Sequence, residues 1–161
     1  MDLELGGKVA FVTGASKGIG RAVAEQLARE GADVVITART AEPLESAAKQ
    51  ITAATGSTIV PMAGDMSVTA DVERCVDATL ARFGKIDILV TCAGSSPGGL
   101  LEDLTEDQWM SSLNLKFMGY VRSARLGPAK ALLRPTVSQP AGTERMPPQP
   151  GRRRACWTTD I

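Results

Sequence analysis

The sequence predicts an α/β fold in which helices cover both faces of a parallel β-sheet. Short apolar runs that suit buried parallel strands occur four times, at residues 9–12, 33–37, 58–62 and 86–90. A segment of helical periodicity follows each of the first three runs, and these helices end at glycines 31, 56 and 84. Repeated strand–helix units form a doubly wound sheet, for which we expect the strand order 3-2-1-4.

The first strand leads into a glycine-rich turn. Strand Val9–Val12 stops at Gly14, and a helix is expected from about Gly18 to Glu30. Gly14, Gly18 and Gly20 have the spacing G-x-x-x-G-x-G, which is neither G-x-G-x-x-G nor a P-loop. Unpartnered N–H groups and the helix dipole make such a helix start an anion site, and glycine lets a diphosphate approach. The alternative is a structural turn without a ligand.

Capping signals set the remaining helix boundaries. Thr40 is expected to cap the second helix, and Ser67 or Thr69 the third. The segment Thr105–Gln108 is a capping-box pattern that opens a fourth helix, which is expected to run to Gly127.

Composition excludes several classes of function. A length of 161 residues suits one domain, and a net charge of zero disfavours nucleic acid or an anionic membrane as partner. No histidine is present, which excludes histidine-based triads and zinc sites that need histidine, so no metal site is expected. The apolar runs are too short to span a membrane, and the acidic N-terminus is not typical of a signal peptide. The three cysteines form no C-x-x-C pair, which indicates a reducing, cytoplasmic location.

The last part of the sequence has a different character. Residues 127–161 contain six of the nine prolines and few large aliphatic residues, a composition typical of disorder. We therefore expect a folded domain over residues 1–126 and a disordered or frame-shifted tail over 127–161. The run Arg152–Arg154 suits a nucleic-acid contact, but a solvated tail is the favoured interpretation because no folded module presents these arginines.

The glycine-rich stretch resembles a known cofactor motif. Thr13-Gly14-Ala15-Ser16-Lys17-Gly18-Ile19-Gly20 is similar to that of the classical short-chain dehydrogenase/reductase family. The resemblance covers about residues 5–126, roughly half of a usual member, and implies a Rossmann-type sheet that is truncated after the helix following strand four. It also implies that this stretch contacts the cofactor through six residues, Gly14, Ser16, Lys17, Gly18, Ile19 and Gly20.

The cofactor that the resemblance implies is NADP(H). An acidic residue at the end of strand two would meet a free ribose 2′-hydroxyl, but Arg39 stands there. Lys17 adds a second positive charge within the glycine turn. In the family, basic residues at these two positions mark a preference for NADP, and arginine suits a phosphate because its fork donates in pairs. The alternative is that both residues are solvated surface cations.

Three further positions match family motifs. Asp65, followed by Met66, stands where the family has an aspartate that holds the adenine ring; the alternative is an aspartate stabilised by a helix dipole. Cys92-Ala93-Gly94 aligns with the family's Asn-Ala-Gly motif, so the hydrogen bonds of the asparagine amide to neighbouring backbone are lost. Asn114 matches the helical active-site asparagine that helps to order a proton-relay water; otherwise it is an ordinary polar helix residue.

The remaining catalytic residues of the family are not found. Members use a Tyr to transfer the proton, a Lys four residues later to lower its pKa, and a Ser to polarise the substrate oxygen. The only tyrosine is Tyr120, and position 124 is Ala, so the sequence has no Tyr-x-x-x-Lys. We therefore predict little or no turnover by this chain, and a frameshift or truncated gene model near codon 126 is our hypothesis for the change in character.

Three interpretations of function stay open. The first is an NADP(H)-dependent oxidoreductase that transfers hydride between nicotinamide and a small carbonyl or alcohol substrate. The second is a catalytically inactive NADP-binding or interaction module, and the third is a chain that does not fold stably. The resemblance allows a homo-oligomer, and the substrate cannot be read from the sequence.

Overall fold

A computed structural model describes residues 3–127 of the chain, so the predicted tail lies, apart from Gly127, outside the described residues. Four strands alternate with helices. The elements in order are β1 (Val9–Thr13), α1 (Gly18–Arg29), β2 (Asp33–Ala38), α2 (Ala41–Thr55), β3 (Ile59–Ala63), α3 (Thr69–Phe83), β4 (Ile88–Thr91), a 3-10 turn (Leu101–Asp103), α4 (Glu106–Leu113), a π-helical turn (Asn114–Met118) and α5 (Gly119–Leu126).

The four strands form one parallel sheet in the order β3-β2-β1-β4, so the predicted fold class and strand order are confirmed. At the centre of the sheet, Val12 pairs with Ile36 of β2 and with Val90 of β4. Because all strands run in the same direction, the segments that follow them meet at one edge.

Hydrophobic clusters lie on both faces of the sheet. Val12 and Ile36 belong to a cluster that includes buried residues of α1 and α2, such as Ala24 and Leu44. Phe11 alternates to the opposite face, where it packs among buried residues of α3, Val72, Cys75, Val76 and Leu80. Both faces of β1 are therefore covered, as its uninterrupted apolar sequence predicts.

The start of β4 differs from the prediction. The apolar run at 86–90 suggests a strand from Ile86, but regular pairing begins at Ile88. The backbone N–H of Asp87 donates to the Val9 carbonyl (2.9 Å), and the N–H of Val9 donates to Oδ2 of Asp87 (2.8 Å). A side-chain acceptor thus replaces a backbone acceptor at this point, which delays the ladder.

Helix capping agrees with the sequence in part. Thr105 and Gln108 form the predicted capping box, and Thr40 occupies the N-cap position of α2 without a side-chain cap bond among the described residues. The cap predicted for α3 is wrong: Val68 is the N-cap. Ser67 instead donates its N–H and its hydroxyl to Oδ1 of Asp65, at 2.8 and 2.7 Å.

The predicted fourth helix is interrupted. A π-helical turn at Asn114–Met118 separates α4 from α5. Within this turn no glycine or proline explains the break, but a guanidinium from α5, that of Arg122, reaches back to its first residue. A side chain that inserts into the helical ladder is a known cause of such irregularity.

Candidate functional site

A cleft of about 610 Å³ lies at the carboxyl ends of the strands. All twelve residues that the sequence assigned to cofactor binding line it: Gly14, Ser16, Lys17, Gly18, Ile19, Gly20, Arg39, Asp65, Met66, Cys92, Ala93 and Gly94. Five further lining residues were missed: Ala38, Thr40, Pro43, Gly64 and Leu115. The first four are close in sequence to Arg39 or Asp65, which is a signal that could have found them. Leu115 comes from the π turn, and no local pattern indicates that its side chain reaches the cleft.

Two glycines let the turn after β1 pack closely. Gly14 has φ +69°, and a Cβ there would lie 2.7 Å from the backbone N and Cα of Ala93. A Cβ on Gly20 would lie 2.5 Å from the Gly14 carbonyl oxygen. Gly18 differs, because a Cβ on it would meet no atom of the described residues within 4 Å. Gly14 and Gly20 are therefore needed for close backbone contacts, with Ala93 and with the Gly14 carbonyl, whereas Gly18 leaves open space in the cleft.

The N-terminus of α1 faces this open space without a side-chain cap. Lys17 is the N-cap residue, and within the described chain it makes no cap hydrogen bond; the first turn also contains no acidic residue. The first N–H groups of a helix have no intrahelical acceptor and carry partial positive charge. This end of the cleft is therefore suited to an anion.

The charged groups of the cleft are two cations and one carboxylate. Lys17 and Arg39 line it, and within residues 3–127 neither forms an ion pair or hydrogen bond. Ser67 orients the carboxylate of Asp65 by two hydrogen bonds to Oδ1. The two cations thus remain available to an external phosphate.

The backbone of Asp65 is held from α3. Its N–H donates to Oδ2 of Asp71 (2.9 Å), and Arg74 donates to Oδ1 of Asp71 (2.9 Å) and to the Ala63 carbonyl (2.8 Å). The hydrogen bond from Asp65, followed by that from Arg74, holds the pKa of Asp71 below its ordinary value. Asp71 is accordingly ionised at neutral pH and fixes the turn after β3.

The loop after β4 is attached to β1 through one hydroxyl. The backbone N–H groups of Cys92 and Ala93 both donate to Oγ1 of Thr13, each at 3.1 Å. Thr13 is buried, so these bonds are shielded from water. They hold the start of this loop against the end of β1. Cys92 is a partly buried free thiol in the cleft wall.

Asn114 does not line this cleft. It lines an adjoining cavity of about 510 Å³, which shares the walls formed by Arg39, Asp65 and Leu115. Its Nδ2 donates to the Ser67 carbonyl at 3.4 Å, and Arg122 donates to its Oδ1 at 2.7 Å. Tyr120 lines neither cavity and is exposed on α5.

The described part of the chain contains neither a candidate metal cluster nor a candidate membrane-spanning helix. Residues 3–127 contain no cluster of three or more histidine, cysteine, aspartate or glutamate side chains that would suit a metal ion. None of the helices within the same residues has the length and apolarity needed to cross a membrane.

The parallel sheet and the glycine-lined cleft define a Rossmann-type α/β domain. The chain belongs to the short-chain dehydrogenase family, whose family model matches residues 8–135. This match continues past residue 126, the end of the resemblance expected from the sequence.

Similar proteins include reductases of known structure. The chain is 35% identical to L-sorbose reductase from Gluconobacter frateurii, solved with NADPH and L-sorbose, with a TM-score of 0.77 over 82% of this chain. A metagenomic short-chain oxidoreductase in complex with NADP is 36% identical, with a TM-score of 0.74 over 80% of this chain.

Curated relatives include a glycine betaine reductase of Emericella nidulans, 40% identical over 119 residues, or 74% of this chain. A peroxisomal 2,4-dienoyl-CoA reductase of Mus musculus is 43% identical over 89 residues, or 55% of this chain. The chain spans only 9% and 30% of the lengths of these relatives, and 50% and 57% of the two structures.

Proposed function

We propose that the cleft binds NADP(H), and that the chain supplies the cofactor-binding part of an oxidoreductase. The reaction is hydride transfer between nicotinamide and a small carbonyl or alcohol substrate. The observation that carries the proposal is the convergence of twelve residues, from four separate stretches of sequence, on one cleft with an uncapped helix N-terminus. The NADPH and NADP complexes of similar structures support it.

The described residues fit this cofactor in charge and space. The diphosphate is assigned to the N–H groups at the start of α1, where Gly18 leaves room. The 2′-phosphate is assigned to Lys17 and Arg39, which lack other partners among residues 3–127. Asp65 and Met66, which line the cleft together with Arg39, are assigned to the adenine. The nicotinamide half is then directed towards Cys92-Ala93-Gly94 at the end of β4.

For this chain alone we propose binding without significant turnover. Bound NADPH supplies a hydride, but reduction of a carbonyl also needs a proton donor at the developing oxyanion. The sequence has no Tyr-x-x-x-Lys, and Tyr120 is exposed away from both cavities. Asn114 alone carries no proton to a substrate, because an amide does not titrate near neutral pH.

A second candidate is a catalytically inactive NADP-binding or interaction module. One observation favours it: α4, the π turn and α5 expose large apolar side chains, including Trp109, Met110, Leu113 and Phe117. Apolar surface of this kind is typical of contact with another chain or segment. Both candidates predict binding without turnover by this chain alone, so NADPH oxidation measured with a broad panel of carbonyl compounds separates them in one direction. Turnover would support the enzyme and exclude the inactive module.

Titration of the chain with NADPH and NADH tests the cofactor assignment. Arg39→Asp should raise the dissociation constant of NADPH by about tenfold or more, because a charge-assisted contact to the 2′-phosphate is lost. The same change should leave that of NADH within about threefold. Lys49→Asp, a charge reversal on the exposed side of α2, is the matched control and should affect neither. The proposal fails if NADPH does not bind, or if Arg39→Asp does not weaken its binding.

A further inference from the structure

We propose that Arg122 is a positioning residue for the nucleotide cleft, although it does not line the cleft. It fixes the first residue of the π turn, Asn114, and thereby the neighbouring Leu115, which forms part of the cleft wall. The inference deepens the proposed function and rests on it, because it predicts the nucleotide affinity of the same cleft.

The guanidinium of Arg122 uses all three of its nitrogens. Nη2 donates to Oδ1 of Asn114 (2.7 Å), and Nη1 donates to the Asn114 backbone carbonyl (3.0 Å). Nε donates to Oγ1 of Thr69 (3.0 Å), the first residue of α3. A planar fork that holds a side-chain oxygen and the backbone oxygen of one residue fixes both the backbone and the side chain of that residue.

These contacts lie where the helix departs from α geometry. The π turn begins at Asn114, and Arg122 lies eight residues later in α5. A π turn widens the backbone loop and gives up the ordinary helical bonding pattern. Arg122 adds two hydrogen bonds to the first residue of this turn from outside the ladder. All three acceptors of Arg122 are uncharged, and residues 3–127 offer it no ion pair. Arg122 therefore orients neutral groups by hydrogen bonds and does not neutralise a carboxylate of the described chain.

Two short chains of contacts connect the hydrogen bonds of Arg122 to the cleft. Leu115 follows Asn114 directly and lines both the cleft and the adjoining cavity. Asn114 also donates to the Ser67 carbonyl, and Ser67 orients the carboxylate of Asp65. Loss of the Arg122 hydrogen bonds should therefore disturb both an apolar and a polar part of the cleft wall, Leu115 and Asp65.

Arg122→Ala tests the inference in the full chain. The exchange of the amide hydrogens of residues 114–119 with solvent should become faster, because the turn loses its outside donors. The dissociation constants of NADPH and NADH should both rise, by roughly three- to thirtyfold, because Leu115 and Asp65 are not the residues assigned to the 2′-phosphate. Arg122→Lys keeps the charge but has all its donors on one nitrogen, which cannot span the three acceptors as the planar guanidinium does, and it should give a smaller change in the same direction.

Two controls separate positioning from loss of stability. Arg125→Ala removes an exposed arginine from the same helix, where within the described chain it has no hydrogen bond or ion pair, and should change neither exchange nor affinity. Ile51→Ala removes buried methyl groups from α2, in the cluster on the opposite face of the sheet from Leu115, and should lower the free energy of unfolding without changing either dissociation constant.

Each outcome decides the inference. The inference is supported if Arg122→Ala shows both faster amide exchange and weaker binding of both nucleotides. If Arg122→Ala does not fold, the same result in Arg122→Lys supports it. If the wild-type chain binds NADPH and both Arg122 variants bind it equally well, the inference is overturned and the proposed function stands. It is also overturned if Ile51→Ala weakens binding as much as Arg122→Ala. If the wild-type chain binds no nucleotide, the proposed function fails, and the inference fails with it.

Discussion

The β1–α2 half of the domain (residues 9–55) and the β4–α5 half (residues 88–126) differ in how many of their residues are buried within the described structure. Every residue of β1 is buried, and α2 buries four residues against the sheet. All residues of β4 are only half-buried, and no residue of α4 is buried. The first half is well buried in the domain, whereas the second presents apolar surface that the described residues do not cover.

The comparison bears on function because the cleft draws on both halves. The glycine turn and Arg39 belong to the well-packed half, so the groups assigned to the diphosphate and the 2′-phosphate stand on a rigid support. Cys92-Ala93-Gly94 and Leu115 belong to the half that is less covered. The two halves meet where Gly14 approaches Ala93 and where Thr13 binds the same loop.

Gly14→Ala should have the largest effect, because it forces this junction apart. The new Cβ would lie 2.7 Å from the Ala93 backbone, and the residue would keep a φ of +69°. Overpacking against backbone adds to the left-handed strain, so we expect about 4 kcal/mol of lost stability or more, measured by urea unfolding. Gly56→Ala is the control, because it has φ +72° but no described atom within 4 Å of the Cβ, and should cost only about 1–2 kcal/mol. Equal losses in the two variants would refute the role of close packing at Gly14.

Thr13→Val tests the same junction through its hydrogen bonds. Valine is similar in shape to threonine but leaves the N–H groups of Cys92 and Ala93 without their acceptor. We expect a loss of about 2–3 kcal/mol in the free energy of unfolding, together with weaker NADPH binding because the loop forms part of the cleft. Thr13→Ser keeps the hydroxyl and should retain most of the affinity. If Thr13→Val binds NADPH as well as the wild type does, the loop needs no support from β1.

The predictability of the fold follows the same division between halves. In the β1–α2 half, local signals agree with each other: apolar runs, helix-ending glycines such as Gly31, and the glycine turn each indicate the observed element. The strand order 3-2-1-4 followed from the regular alternation of strands and helices, and it is confirmed. The carboxyl-edge rule for parallel strands then predicts that the twelve residues converge, since each follows a strand or begins α1.

The errors come from side chains that bind distant or competing partners. Serine is a common helix cap, but Ser67 instead donates both its N–H and its hydroxyl to the carboxylate of Asp65. The apolar run at 86–90 suggests one strand, but the side chain of Asp87 replaces a backbone partner. Two donors of Arg122 bind Asn114, the first residue of the π turn, and helical periodicity gives no sign of a bond between residues eight positions apart. Each of these contacts depends on the specific side-chain arrangement of the folded chain, which a local sequence pattern does not predict.

Asp87→Asn should lower the free energy of unfolding moderately and in a pH-dependent way, because Asp87 joins the start of β4 to Val9 of β1. Burial alone would raise the pKa of Asp87, but the hydrogen bonds from Val9 and Lys85 outweigh it, and the pKa lies below its ordinary value of 3.8. A lowered folded-state pKa stabilises the protein above the unfolded-state value, and this contribution disappears as the pH falls through the folded-state value. The stability difference between wild type and variant should therefore be about 1 kcal/mol at pH 7 and shrink on acidification below about pH 4. Asp71 titrates in both proteins and cancels in the difference. A difference that does not change with pH would exclude the ionised carboxylate as its source.

Phe117→Ser should have the smallest effect and tests the β4–α5 half directly. Phe117 is 63% exposed, so its removal from the isolated chain should change the free energy of unfolding by about 0.5 kcal/mol or less. The buried Leu44 is the reference, because Leu44→Ala should cost about 2–5 kcal/mol in the same urea experiment. If the exposed face is an interface between chains, Phe117→Ser should also shift the sedimentation coefficient towards that of the monomer. A stability loss comparable with that of Leu44→Ala, at a concentration where the chain is monomeric, would mean that Phe117 is covered within its own chain and would remove the contrast between the two halves.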